Sequence, residues 1–363
     1  MALTSSLTGR LILTVVILCG FAEHLAAQPR YSVTDLGTLP TFNVSQANGI
    51  NASGQVVGSL KDTTTGAEHA FVWTNGTLQD LGTLPGFSSS AAVGINAVGQ
   101  VSGEVFNSTG PSHAFSWTSS AGLVDIHAAS TGFTSSEALG TINAAGQIVG
   151  QLTRADGTVH PFSYTSGAGM VDLGPMPGLI YGAAYGSNDA GAVVGTSWNG
   201  AGKAFLWTSD VGFTDLGPLP GFLYAWATAV NASGQVVGQA SNDTGPIHGF
   251  LWTAAAGMID LDPGGLLGFL YIQPYAINAQ AVVVGQASND SPTSRSAFVW
   301  QNGLITDLNT LIDSGLGWVL QIATGINDNG QITGTGTVGG QTHAFLLTLV
   351  GGLSPPSGMP GSR

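Results

Sequence analysis

The side chains with most capacity for chemistry in this 363-residue chain are its seven histidines. Five of them, His69, His113, His160, His248 and His343, stand two residues before a Phe at a recurring spacing. An imidazole reused in this way reads as a structural element, because general acid or base catalysis needs one group poised against one substrate. Of the other two, His24 falls in the N-terminal leader described below. His127 follows Asp125-Ile126 where other copies carry Gly, and an exposed turn position is expected for it. There is no Gly-x-Ser-x-Gly elbow, no His-Glu-x-x-His pair and no phosphate-cradling Gly-rich loop with Lys. The recurring Asp residues suit turn caps better than metal ligands. The sequence thus nominates no catalytic residue, no metal site and no cofactor.

A second set of side chains suits recognition. Seven residues ahead of a recurring Asn stand Tyr181, Tyr224 and Tyr271 in three successive copies, where the first three copies carry Val44, Ser89 and Ser136. Around the tyrosines lie Ile180, Phe222, Leu223, Trp226, Phe269, Leu270, Tyr275 and, in the last copy, Trp318. Amphipathic rings of this kind stack on sugars or capture an apolar partner segment. They could equally fill the interior, as aromatic side chains usually do. Which applies depends on the elements that carry them.

Those elements are copies of one unit of about 45 residues, the length of a propeller blade. The Asp marker falls at Asp35, Asp80, Asp125, Asp172, Asp215, Asp260 and Asp307, and the Asn marker at Asn51, Asn96, Asn143, Asn188, Asn231, Asn278 and Asn327. The Phe marker is Phe71, Phe115, Phe162, Phe205, Phe250, Phe298 and Phe345. Short Val, Ile, Leu, Phe and Trp runs between Gly, Asn, Ser and Pro clusters predict four β-strands per copy. In His69-Ala70-Phe71-Val72-Trp73 strict alternation puts the rings on one face, and burial of seven equivalent Phe side chains explains the aromatic pattern as core. The Asn-x-x-Gly spacing predicts a tight hairpin with the Gly at positive φ. Copy six breaks it with Ala281 and Val282, so that turn should be strained or differently shaped.

The ends of the array are offset. An Asp-ending strand, residues 31–36, opens the chain before any partner exists, whereas the last copy stops after His343 to Leu349 without one. Pairing the two completes a seventh blade and removes two open sheet edges. The expected fold is all-β: a seven-bladed β-propeller of four-stranded antiparallel blades over residues 31–349, closed by strand 31–36 joining the last blade. The tyrosine positions then fall where an outer strand passes into the next inner strand, on one side of one rim.

Flanking segments read differently. Residues 1–27, with Arg10, the apolar stretch Leu11 to Phe21 and Leu25-Ala26-Ala27, match an export signal peptide too short to span a bilayer. The single cysteine, Cys19, lies inside it. Residues 350–363, rich in Gly, Pro and Ser, read as a disordered tail. Charged residues make up 7% of the chain with a formal net charge of −13. Nucleic acid is therefore not expected as a partner, since it needs clustered basic side chains. No membrane span is expected either.

The Asn-x-x-Gly-Gln-Val-Val-Gly segments, the Asp-Leu-Gly-x-Leu-Pro-Gly loop at Asp80 to Gly86, and His-Ala-Phe at residues 69–71, 113–115 and 343–345 occur together in register. In this the chain resembles the extracellular HAF-repeat family of bacteria over residues 31–349. Other copies depart from the tripeptide: His160-Pro161-Phe162, Lys203-Ala204-Phe205, His248-Gly249-Phe250 and Ser296-Ala297-Phe298. The resemblance implies an exported repeat protein and supplies no site, and the absence of a terminal sorting segment favours release over anchoring. Three functional readings follow: a non-catalytic binding module for polysaccharide or an extracellular protein, a structural component of an extracellular assembly, or a propeller hydrolase or lyase acting at the channel mouth.

Overall fold

The computed structural model describes residues 30–127, 132–263, 265, 268–290 and 294–350. The leader 1–27, Cys19 within it and the tail beyond Val350 lie outside the described residues.

Among the described residues twenty-eight strands form seven four-stranded antiparallel sheets, arranged as the blades of a closed β-propeller. Blade one shows the plan: Val44–Ile50 innermost, then Val56–Lys61, Glu68–Thr74 and, outermost, Thr77–Gly82. The inner strands of the other blades are Ser89–Ile95, Phe133–Ala138, Tyr181–Ser187, Tyr224–Val230, Tyr271–Ile277 and Trp318–Ile326. Blade seven takes its outer strand from the N-terminus: Arg30–Asp35 pairs with Gln341–Val350, with Val33 opposite Leu347 and Asp35 opposite Phe345.

Each sequence marker has a defined mechanical role. The Phe of the third strand is fully buried in all seven blades and pairs across to a Gly of the second strand, as Phe71 does with Gly58 and Phe250 with Gly238. That Gly is obligatory for steric reasons. A Cβ on Gly238 would lie 1.9 Å from the Trp226 carbonyl oxygen and 2.7 Å from the Phe250 ring. The ring occupies the space a side chain would need, so the pair sets the blade's thickness.

The Asn marker does more than turn the chain. In blade one the Asn51 Oδ1 accepts from the backbone amides of Ser53 and Gln55, fixing the hairpin, while Nδ2 donates across to the Asn96 carbonyl of blade two at 3.0 Å. The same cross-blade bond runs from Asn96 to Asn143, Asn143 to Asn188, Asn188 to Asn231, Asn231 to Asn278, Asn278 to Asn327 and back from Asn327 to Asn51. The seven amides form an unbroken buried belt around one end of the axis. Each such bond contributes about 1 kcal/mol net, and losing one leaves a buried carbonyl unpaired at a larger cost. Where Gln follows the turn, its Oε1 accepts from the same Nδ2, and in four blades its Nε2 donates to a hydroxyl within the third strand: Gln55 to Thr74, Gln100 to Ser116, Gln147 to Ser163 and Gln331 to Thr348.

Turn geometry agrees with the expectation. The Gly of the Asn-x-x-Gly turn has φ between 74° and 81° in six copies, and Ala281 takes φ 59° in the seventh. The copy-six turn keeps its bonds, Ala281 N to Asn278 O and Val282 N to Asn278 Oδ1, so its shape is retained and the Cβ strain is borne by Ala281.

Candidate functional site

The two ends of the ring differ. The Asn belt marks the end formed by the tight hairpin turns. The other end carries the entries of the inner strands, the loops between second and third strands, and the recurring histidines. There each His Nδ1 meets the Asp that closes the outer strand: His69 with Asp80 at 2.9 Å, His113 with Asp125 at 2.8 Å, His160 with Asp172 at 2.9 Å, His248 with Asp260 at 2.7 Å. His343 meets Asp35 across the closure at 2.9 Å. Lys203 and Ser296 take the place of His against Asp215 and Asp307. The same Asp accepts the backbone amide two residues on, as Asp80 does from Gly82, so it caps the turn and clamps the outer strand at once. The pairing recurs as a clamp on the outer strand in five blades.

His127 departs from expectation. It is buried, its ring lying 4.2 Å from that of His113, and its Nδ1 is 3.1 Å from the Ser136 hydroxyl of the next blade. Burial, and then the neighbouring His113, hold its pKa below the ordinary histidine value. The residue is a packing element between blades two and three rather than an exposed turn residue.

The nominated aromatic residues separate into three groups. Tyr181, Tyr224 and Tyr271 begin the inner strands of blades four, five and six and lie half-exposed at the rim. Directly before them Ile180, Leu223 and Leu270 are 42%, 64% and 46% exposed. Tyr181 stacks on Trp198, with centroids 5.8 Å apart and planes inclined by 18°. The Tyr224 hydroxyl donates to Asp243 and the Tyr271 hydroxyl to Asp290, and these bonds raise both phenol pKa values. The loops holding the acceptors are latched to the same strands: the Asn242 side chain accepts from the Leu223 amide and that of Asn289 from the Leu270 amide, each at 2.9 Å.

Phe222, Phe269 and Trp318 form the second group. They pack half-buried against the cores of their blades, Phe222 against the His248 ring at 4.8 Å and Trp318 edge-on to Phe345 at 6.1 Å. Trp226 and Tyr275 are the third group; the Trp226 ring lies 6.2 Å from that of the rim Tyr224. Tyr275 is the bulged residue of its inner strand, whereas Trp226 stands before the bulge of its own and packs against Gly202 of blade four; both line the central channel.

The channel cavity measures about 610 Å³. Each blade supplies one bulged residue to it: Asn48, Val93, Leu139, Tyr185, Thr228, Tyr275 and Thr324. Glu104 and Gln239 reach in from second strands. Burial, followed by the charges of Glu137 and Glu68, pushes the Glu104 carboxyl up to about 7. Among the described residues no group of three or more His, Cys, Asp or Glu could hold a metal, and no helix is long and apolar enough to cross a membrane.

Trp198, Asp243, Asp290 and Glu104 are absent from the residues nominated from the sequence. Their signal was available as departures from the repeat: Glu104 stands where the other blades carry Ser59, Gln151, Thr196, Gln239, Gln286 and Thr335.

No protein-family model matches the sequence, and no curated protein matches it. Solved structures do. The chain is similar to a puromycin hydrolase (12% identity, TM-score 0.51, 83% of this chain and 52% of that one). It is also similar to TolB from Acinetobacter baumannii (12%, TM-score 0.49, 81% and 63%) and to the BP39L lectin from Burkholderia pseudomallei (11%, TM-score 0.41, 87% and 97%). It spans 63% of TolB and 52% of the puromycin hydrolase, and at these identities the likeness is one of fold alone. The protein is a seven-bladed β-propeller in which four positions of every blade hold the ring together, leaving the rim and the axial channel free to differ from blade to blade.

Proposed function

We propose that this propeller is a binding module that uses the rim of blades four to six to hold an extended polysaccharide. The observation that carries the reading is the triplication at the rim: three adjacent blades each present an exposed aliphatic side chain followed by a tyrosine braced by Trp198, Asp243 or Asp290. Blades one to three carry Val44, Ser89 and Ser135 at the corresponding start of the inner strand, Ser135 replacing the Ser136 that counting back from Asn143 places there. A row of braced rings suits a repeating ligand, since flat aromatic faces accept the C–H face of a sugar and the carboxylate beside the ring can accept its hydroxyls. Bracing also lowers the entropy lost on binding, because the rings are held before the ligand arrives.

The leader-like segment 1–27 and the resemblance to HAF-repeat proteins support the further reading that the module is an exported member of that family and works outside the cell. The formal charge of −13 with few basic side chains supports a neutral or cationic surface as the target over an anionic one.

The test is retention on insoluble polysaccharides (cellulose, chitin and peptidoglycan) of the natural protein and of the triple variant Tyr181→Ala, Tyr224→Ala, Tyr271→Ala. Retention of the natural protein on at least one polymer, lost in a variant that melts at the same temperature, is the expected result. Equal retention of both proteins, or none on any polymer, would remove the proposal.

A further inference from the structure

We infer that the axial channel is a second binding site, separate from the rim, that takes a small organic cation such as an alkylated amine between Glu104 on one side and the rings of Tyr185, Trp226 and Tyr275 on the other. Three observations converge on it. The first is asymmetry within a ring whose structural positions repeat. The aromatic wall comes from the successive blades four, five and six, whereas the carboxylate comes from blade two. The Asn belt, the Gly and Phe pairs and the clamping Asp are present in every blade, so the fold itself does not call for these channel side chains.

The second is chemistry. The cavity of about 610 Å³ has no Lys, Arg or His in its lining, and among the described residues no donor reaches the Glu104 carboxyl. Glu137, close enough to act on Glu104 through its charge, is already partnered: its two oxygens accept from the Ser112 hydroxyl at 3.1 Å and the Gln151 amide at 2.7 Å. A partly buried carboxyl without a partner, beside a second negative charge, is what a cation relieves. Ring faces attract the same ligand through their quadrupoles, most strongly once it is desolvated. Gln239, donated to by the Gln273 amide at 3.0 Å, and the Thr228 hydroxyl add polar atoms that orient it.

The third is the balance of surrounding charge. The groups that bear on the channel are Glu104, Glu137 and Glu68, the phenols of Tyr185 and Tyr275, and one cation, Arg295, whose charge is felt at Tyr275. Glu68 is itself drawn toward Lys61 at 3.7 Å. The local field is negative, in a molecule of formal charge −13, so a cationic ligand is concentrated at the mouth and an anionic one repelled.

Binding requires an ionised Glu104, which has two consequences that a general apolar pocket would not share. Affinity should rise with pH through about 7, and the bound cation should displace a proton. The experiment is calorimetric titration of the full protein with choline, with spermidine as a second probe, and with the neutral carbon isostere of choline in which a tert-butyl group replaces trimethylammonium. Choline or spermidine should bind saturably at about pH 8, roughly thirtyfold more weakly at about pH 5.5, with proton release in between, and the isostere should not bind. Glu104→Gln should abolish binding and Trp226→Leu should weaken it, with circular dichroism confirming that both variants are folded. Failure of both cations to bind, binding of the isostere as strongly as choline, or binding unaltered in a folded Glu104→Gln would each overturn the inference. The rim variant Tyr181→Ala, Tyr271→Ala, which leaves Tyr224 in place beside Trp226, should bind choline normally, so the two sites stand or fall separately.

Discussion

Glu104 holds a carboxyl in a place where its charge is unwelcome, and the cost is measurable as stability. Its folded pKa of about 7 is above the free value of 4.5, so the folded state binds the proton more tightly than the unfolded chain does. The resulting stabilisation is fully present below about 4.5 and is lost as the pH rises through about 7. Glu104→Gln, which mimics the protonated form, should therefore exceed the natural protein by about 3 kcal/mol above pH 7 and match it in acid, as read from urea midpoints across pH. His127 acts in the opposite sense. With its pKa lowered by burial, its contribution holds above the ordinary histidine range and fades as the pH falls below it. Ala281 is a simpler case: it carries a left-handed φ of 59° at a turn where six other copies have Gly. Ala281→Gly should raise stability by about 0.5–1 kcal/mol, the Cβ strain relieved less the extra freedom Gly gives the unfolded chain. A lower thermal midpoint would show that the turn is not strained.

At the scale of the strand, the cross-strand Gly and Phe pair makes each blade intolerant of change on either side. Gly238→Ala would drive a Cβ into the Trp226 carbonyl and the Phe250 ring, neither of which is a flexible chain end. We expect it to cost about 3 kcal/mol or more, measured as a lowered denaturant midpoint, and Phe250→Ala to cost about 3–5 kcal/mol by opening a cavity. The strand is also the scale at which the sequence ceases to be readable. The Asp, Asn, Gly and Phe markers were legible because every blade must satisfy the same steric and hydrogen-bonding demands, so they recur at one spacing. Tyr275 was expected at the rim by counting along the chain, but the bulge at Pro274/Ala276 redirects it, and no local residue pattern announces a bulge facing a channel. The bracing of Tyr224 by Asp243 and of Tyr271 by Asp290 joins residues 19 apart through a hairpin loop, and so depends on register rather than composition. The burial of His127 arises from the facing blade, through Ser136 and His113.

The ring as a whole is held shut at the join by contacts that also occur at other blade junctions. Between blades seven and one, Asn327 donates to the Asn51 carbonyl and the Ala344 amide donates to the Ser45 hydroxyl. The Asn bond recurs at every junction, and the Ala to Ser bond at two more, as Ala70 to Ser90 and Ala114 to Ser136, with Gly182, Ala225 and Ile272 in the Ser position of blades four to six. What distinguishes the join is covalent only, since the outer strand Arg30–Asp35 reaches its blade through hydrogen bonds, the Asp35 to His343 clamp and the burial of Tyr31 and Leu36. The position of the chain break should then be immaterial, provided all four strands of blade seven are present. A circular permutant that links Val350 to Arg30, paired directly across the join, and opens the exposed Asp62 to Ala67 loop should fold to the same spectrum and the same size. Deleting residues 30–36 instead removes two buried side chains worth about 3–5 kcal/mol together and leaves Gln341–Val350 as an open edge, so the shortened ring should melt earlier and self-associate through that edge, visible by light scattering. A deleted form that stayed monomeric with an unchanged midpoint would mean that the interblade belt of Asn side chains alone closes the ring, and that the N-terminal strand only decorates it.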